Sequence, residues 1–325
     1  MKILVTGAAG FIGSNLVGEL LRRGHIVVGF DNFSQGLRLN LADALENPAF
    51  ELREADIRDE AAMSSAAEGC DVIVHLAAYK IPRYGDAYET LMINGFGSEI
   101  VAQTAAATGA KIVAASTSDV YGKNPSVPFA EDMDSVIGNP HVKRWAYAIS
   151  KMFEEQLLLA CHDRFGIDVV LLRFFGGYGP NQNLTWWGGP QSVFIGKALD
   201  GEPLPIHGDG RQTRSFTYIS DHVAGIAAAV ESSAADNLVV NIGAEQEISI
   251  RGLAELIWRL VHGEESTPRI EIIPYESFGK YEDVLRRVPD ISRARQLLGF
   301  EPKVELEPGL RETIRWQDER RRIVP

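Results

Sequence analysis

Tyr147 and Lys151 stand four residues apart in W-A-Y-A-I-S-K, a spacing that puts both side chains on one face of a helix. A phenol ordinarily ionises near pH 10, but an ammonium beside it favours the phenolate, and such a pair can take a proton from an alcohol. Thr117, Ser118 and Asp119 follow the apolar run K-I-V-A-A at 111–115. Hydroxyls at a strand end can hold a reacting oxygen, and an acid there can hold or move a proton. A third group is the turn G-A-A-G-F-I-G, where Gly7, Gly10 and Gly13, with Phe11 and Ile12 among them, join an apolar run to a helical segment. Glycines so placed let the backbone approach a pyrophosphate, and a helix N-terminus offers free N–H groups and a positive dipole end. The next apolar run ends at Asp31, where an acid accepts hydrogen bonds from ribose hydroxyls and repels a 2′-phosphate. The expectation is a dinucleotide site that takes NAD over NADP. Asp56, after F-E-L-R-E-A, stands where a third strand ends and can serve an adenine amino group or simply face solvent.

These groups need a frame. Short apolar runs at 3–7, 26–31, 71–78, 111–117 and 168–175 alternate with helical segments at 14–24, 98–109 and 147–165. Strands without internal polar alternation, separated by helices, predict an α/β fold built on a parallel sheet covered on both faces. After Gly176 the sequence is rich in Gly, Pro, Asn and Trp, broken by a helix over Gln191–Leu199. A further strand and helix are expected around Phe216–Val230 and Leu238–Ile242, then an element at Leu253–Val261, a strand near Ile270–Ile273 and a terminal stretch from Ile291 to Trp316. The simplest partition is a sheet domain over 1–175, to which 209–240 return, and a smaller α/β domain from 176–208 and 241–325.

Composition narrows the function. The 325 residues are 45% hydrophobic, enough for a packed core, and 32 basic against 44 acidic side chains give a formal charge of −12. That field repels nucleic acid and anionic membranes, so an anionic ligand must be held by a local cluster. Cys70 and Cys161 are the only cysteines, with no disulfide framework and no zinc spacing. No signal-like leader and no long apolar run is present; the expectation is a cytoplasmic protein without metal.

The ordered set G-x-x-G-x-x-G at 7–13, H-L-A-A at 75–78, S-T-S at 116–118, Y-A-I-S-K at 147–151 and R-F-F-G-G-Y-G-P at 173–180 resembles the extended short-chain dehydrogenase/reductases, the nucleotide-sugar epimerases, dehydratases and decarboxylases. The resemblance extends through 208–221 and 286–310. It implies a Rossmann-type doubly wound sheet with a smaller C-terminal α/β substrate domain. It implies NAD held by Gly7, Gly10, Phe11, Ile12, Gly13, Asp31, Asn32, Asp56, Ile57, Leu76, Ala77, Ala78, Lys80, Tyr147 and Lys151. Thr117, Ser118, Asp119, Tyr147, Lys151 and Arg287 are the implied catalytic set: Tyr147 as base, Lys151 tuning it and binding the nicotinamide ribose, and Thr117 holding the sugar oxygen. Thr117, Gly176, Arg214 and Arg287 are implied substrate contacts, with the arginines on a diphosphate or a sugar; Gly176 replaces the usual Asn and drops a side-chain contact. The helices beginning near Ile93 and Tyr147 match those that pair in relatives, which implies a homodimer.

Within the family, S-T-S-D-V-Y-G and R-V-P-D-I at 287–291 resemble the UDP-glucuronate decarboxylases, whose acid at the position of Asp119 is Glu, and so does the stretch around Lys143-Arg144-Trp145. This implies C4 oxidation of UDP-glucuronate to a β-keto acid and loss of carbon dioxide, giving UDP-xylose or the 4-keto pentose. A UDP-sugar 4-epimerase acting on UDP-glucuronate or UDP-glucose is the main alternative, followed by an NDP-hexose 4,6-dehydratase and an NAD-sensing protein without turnover. Three features take bland readings: His75 is packed structure, Trp186-Trp187 cover a nucleotide base or fill the cleft, and D-E-R-R-R at 318–322 is a solvated helix end.

Overall fold

A computed structural model describes residues 1–80 and 85–323. Seven strands, β1 (Lys2–Thr6), β2 (Ile26–Asp31), β3 (Phe50–Glu54), β4 (Val72–His75), β5 (Lys111–Thr117), β6 (Val169–Phe174) and β7 (Leu238–Ile242), form one sheet in the order β7-β6-β5-β4-β1-β2-β3. All neighbours are parallel. The order reverses between β1 and β4, and the crevice beyond the strand ends at that point is where such sheets bind ligands. Thr6 and His75 are paired there.

Ile3, Val5, Val74, Val113, Val170 and Leu172 face one layer of helices, whereas Leu4, Ile73, Ile112, Ala114 and Leu171 face the other. This two-sided burial is why the strands read as unbroken apolar runs. The first layer includes α1 (Phe11–Arg22) and α5 (Ile219–Glu231); the second includes α2 (Ala87–Thr108) and α3 (Trp145–Phe165). A third core, with Phe194, Leu204, Ile206, Leu253, Ile257 and Leu310, packs α4 (Pro190–Leu199) against Ile250–His262 and α6 (Leu306–Ile323). Short strand pairs tie the later chain together: Gly177–Tyr178 with Thr217–Tyr218, and Thr213–Ser215 with both Glu247–Ser249 and Arg286–Arg287.

The helix expected at 98–109 begins eleven residues earlier, at Ala87. Gly95 and Gly97 hide that start because glycine is a poor helix former. Gly97 is there for a reason of space: a Cβ would lie 2.2 Å from Ile57 Cδ1. Similarly α1 starts at Phe11, directly on the glycine turn, and α6 runs to Ile323, past the expected end at Trp316. Among the described residues, no helix is long and apolar enough to cross a membrane.

A buried ion pair supports the end of β5. Arg173 on β6 makes a fork to Glu155 on α3, Nε to Oε1 at 2.8 Å and Nη2 to Oε2 at 2.7 Å. Ser116 donates to the same carboxylate, and Arg173 Nη1 donates to the Glu131 carbonyl at 3.1 Å. Removing one partner strands the other charge in the core, at a cost of about 3–5 kcal/mol. Glu155→Ala should therefore lower denaturant stability by about that amount, without a change in m-value, in equilibrium urea unfolding.

Candidate active site

One cavity of about 1100 Å³ opens at the switch point, and every site residue named from the sequence lines it. The glycine turn forms its floor. Gly7 has φ +70°, and a Cβ there would lie 2.9 Å from the Ala77 nitrogen; at Gly13 a Cβ would be 2.0 Å from the Gly7 carbonyl oxygen. The turn can close only without side chains, which leaves its N–H groups and the start of α1 facing the cavity. Asp31 accepts from Ala9 N at 2.9 Å and Phe33 N at 2.8 Å; burial raises its pKa against those two donors. Asn32 donates to Asp56 at 2.9 Å, and Arg58, first, with Asn32 behind it, holds Asp56 down at about 2. A cradle that excludes side chains, with an acid at the end of β2, fits a dinucleotide.

The catalytic candidates meet where β5 ends. Thr117 caps the short turn Ser118–Tyr121, its Oγ1 accepting from Asp119 N at 3.2 Å, and its hydroxyl hydrogen-bonds the Tyr147 phenol. Burial raises the Tyr147 pKa, and the negative charges of Asp119 and Glu154 raise it further. Lys151, four residues on, is engaged elsewhere: its Nζ lies 2.8 Å from Glu154 Oε2, with the two side chains 1% and 2% exposed. Glu154 also accepts from Ser98 Oγ at 2.9 Å, Ser98 meets His75 Nε2 at 3.2 Å, and His75 Nδ1 meets Thr6 Oγ1 at 2.8 Å. A buried polar chain thus runs beneath the cavity from β1 to Lys151. His75 belongs to it; burial, and then Lys151, bring its pKa down to about 3, so it is neutral. The raised pKa makes Tyr147 a neutral phenol.

Asp119 is clamped. Its Oδ1 accepts from Arg144 Nη2 at 3.0 Å and from Arg287 Nη2 at 2.8 Å. Burial opposes its ionisation, yet Arg287 and Arg144 outweigh burial and hold the carboxyl at about 2. A second acid, Asp283, accepts from Arg214 at 2.9 Å, Arg144 at 3.2 Å and the Tyr275 hydroxyl at 2.6 Å. Burial pulls Arg214 down to about 10 in spite of Asp283. Three guanidiniums and two carboxylates leave this cluster one positive charge in surplus. Arg287 Nε is buried and has no hydrogen-bond partner.

Sequence reasoning missed Arg144, Asp283 and Glu154 as site residues. Arg144 carried a signal, one helical turn before Tyr147; Glu154 carried one too, at i+3 from Lys151. Asp283 had none, since 139 positions separate it from Arg144 and only the fold brings the two together. At Gly176 a Cβ would sit 2.6 Å from the Ser215 carbonyl oxygen, so the backbone admits no side chain there. Trp186 stacks on His207 at 4.3 Å and Trp187 meets Tyr79 edge-on at 5.2 Å, both in the cavity wall. The reading of 318–322 as a solvated helix end needs correction: Arg320 is partly buried against Asn40, and Arg321 is tied to Asp200 and to the Gly196 carbonyl.

The model of the NAD dependent epimerase/dehydratase family matches residues 3–243. The chain belongs to this family. It is 37% identical to UDP-N-acetyl-alpha-D-glucosaminuronate decarboxylase of Bacillus cytotoxicus, over 97% of each chain. It is 36% identical to UDP-glucuronic acid decarboxylase 3 of Arabidopsis thaliana, over 95% of this chain and 87% of that one. Among solved structures, UDP-glucuronic acid 4-epimerase of Bacillus cereus, in complex with UDP-glucuronic acid and NAD, superposes with a TM-score of 0.88 at 30% identity, covering 98% of this chain and 99% of that one. The protein is therefore an NAD-dependent enzyme of this family with a Rossmann-type fold.

NAD, when bound, supplies the hydride acceptor and a cationic ring. A cation near Tyr147 favours the phenolate, whereas Asp119 opposes it. Asp119→Asn removes that opposition, so the acid limb of the kcat/KM profile, which rises as Tyr147 loses its proton, should move to lower pH. A limb that moves to higher pH or stays in place contradicts this electrostatic reading.

Proposed function

We propose that the enzyme decarboxylates UDP-glucuronate through a 4-keto intermediate, with UDP-xylose or the UDP-4-keto-pentose as product. One observation carries the reading: the Asp119–Arg144–Arg287–Asp283–Arg214 cluster beside Tyr147 has a surplus positive charge and an unpaired buried N–H, the complement of a sugar carboxylate. Tyr147 takes the proton of the C4 hydroxyl while Thr117 holds that oxygen, and the C4 hydrogen would leave as hydride to the acceptor that bound NAD supplies. Once C4 is a ketone, the C6 carboxylate lies β to it. The C5–C6 bond then breaks, its electron pair moves on to the C4 oxygen as an enolate, and carbon dioxide leaves. Thr117 and the protonated Tyr147 stabilise the enolate, and C5 regains a proton. Lys151 and Glu154 fix the floor of the site. Asp119, ionised and clamped, orients the arginines and is not a proton donor.

Incubation with NAD and UDP-glucuronate should yield a nucleotide product lighter by carbon dioxide in mass spectrometry. An unchanged mass with a new UDP-galacturonate peak would instead assign the 4-epimerase reading. UDP-N-acetylglucosaminuronate belongs in the same assay, because the Bacillus cytotoxicus relative, similar end to end, is named for that sugar. Arg144→Met should raise KM for the hexuronate about 10- to 100-fold, the loss expected for one charge-assisted hydrogen bond, with a smaller effect on kcat.

We also propose a homodimer, formed on α2 and α3. Tyr88, Leu91 and Phe96 on one helix and Ile149 and Phe153 on the other are 65%, 37%, 54%, 43% and 52% exposed. Phe153 lies 4.0 Å from the Cβ position of Gly95, so the two sets adjoin. A second copy of this apolar face is the partner that would cover it. Phe96→Glu with Phe153→Glu should halve the mass measured by light scattering; a wild-type mass already equal to one chain contradicts the proposal. No nucleic-acid or membrane partner is proposed, since a charge of −12 repels both anionic surfaces, and the setting proposed is cytoplasmic, where the free Cys70 and Cys161 stay reduced.

A further inference from the structure

Arg320 stands near the end of α6 and lines the same cavity as the glycine turn, with Trp316, Asn40, Gly36 and Gly10. Its Nη2 donates to Asn40 Oδ1 at 2.8 Å, and its guanidinium carbon is 6.0 Å from the Trp316 ring centre. Asn40 in turn donates from Nδ2 to the Ala9 carbonyl at 2.9 Å, within the phosphate turn. Ala9 N donates to Asp31 at 2.9 Å. A continuous hydrogen-bonded run therefore connects Asp31, the turn and the C-terminal helix. That helix is anchored on the other side of the cleft, where Gln317 Nε2 donates to the Ser192 carbonyl at 2.9 Å and Arg321 Nη1 to the Gly196 carbonyl at 3.3 Å, both on α4.

Charge separates Arg320 from its neighbours. On the same helix, Arg311 pairs with Glu307, Arg315 with Glu312, Arg321 with Asp200 and Arg322 with Asp318. Among the described residues, no carboxylate pairs with Arg320; the neutral Asn40 amide and the Trp316 ring are its partners. Arg320, half-buried at the cavity wall, therefore carries a charge that no described side chain offsets and that an anion in the cavity can pair with. The start of α1 turns its positive dipole end to the same cavity, so two independent sources of positive potential meet there. In a chain of net charge −12, this is a local site for an anionic group.

We propose that Arg320 is a further cofactor-binding residue, which pairs with the pyrophosphate of the dinucleotide and so fastens the C-terminal helix, and α4 behind it, on to bound NAD. The inference rests on NAD dependence and not on the choice of sugar. The substrate's diphosphate shares the same chemistry, and the test separates the two sources. Arg320→Gln, Arg320→Lys and the control Arg322→Gln are prepared in the full chain freed of nucleotide. NADH binding is followed by nicotinamide fluorescence, and ADP-ribose and UDP binding by calorimetry.

Arg320→Gln should weaken NADH and ADP-ribose about 10- to 100-fold and flatten the salt dependence of NADH binding, while UDP affinity is unchanged. Arg320→Lys should recover part of the loss, and Arg322→Gln should bind as wild type. Unchanged NADH affinity in Arg320→Gln overturns the proposal, as does a loss confined to UDP. A loss of NADH affinity with the salt dependence unaltered also overturns it, because it would make Arg320 a brace for Asn40 and not a partner of the pyrophosphate.

Discussion

The carboxylate of Asp119 holds the site together. It sits at the end of β5, yet its two guanidinium partners come from the N-terminus of α3 and from the strand Arg286–Arg287, 168 positions on. Those contacts draw the later part of the chain over the sheet and bring Asp283 and Arg214 with it. Two acids among three arginines make a cluster that is held rigid by its own internal pairs and still lacks one negative charge. Each internal carboxylate also lowers the cost of packing like charges close together. The design is an arginine grip loaded almost, but not fully, to neutrality.

The same charges set the state of Tyr147. Lys151 is paired with Glu154, and burial together with the negative charges of Asp119 and Glu154 raises the Tyr147 pKa. A cation in the cavity favours the phenolate against those charges. A free carboxylate at 119 would act as a proton carrier, whereas one fixed by two arginines acts as an anchor. The shorter reach of Asp relative to Glu is consistent with that role, because both bonds end on a single oxygen.

Much of this was legible in the sequence. Lys111–Thr117 was marked as a strand by its apolar run; the glycine turn, Asp31, Tyr147 and Lys151 stood out by local spacing, and the ordered family motifs around them supplied their roles and that of Thr117. Local spacing works where one element carries the whole signal. It fails where the partner is distant: Asp283 is ordinary in sequence and becomes a site residue only when Arg144 and Arg214 reach it. It fails also where tertiary packing overrules propensity, as at Gly95 and Gly97, whose poor helix formation concealed the first turns of α2 while Gly97 made room for Ile57. The basic tail read as solvated because charge on a helix end usually is; what distinguishes Arg320 is that, among the described residues, no carboxylate pairs with it, which only the fold reveals.

The account stands on the surplus charge of the arginine cluster. Calorimetric titration of UDP-glucuronate and of UDP-glucose into NAD-loaded Tyr147→Phe protein, where no turnover occurs, measures it directly. The account predicts that the hexuronate binds at least about tenfold more tightly, and that this preference narrows as ionic strength rises. Equal affinity for the two sugars would contradict it.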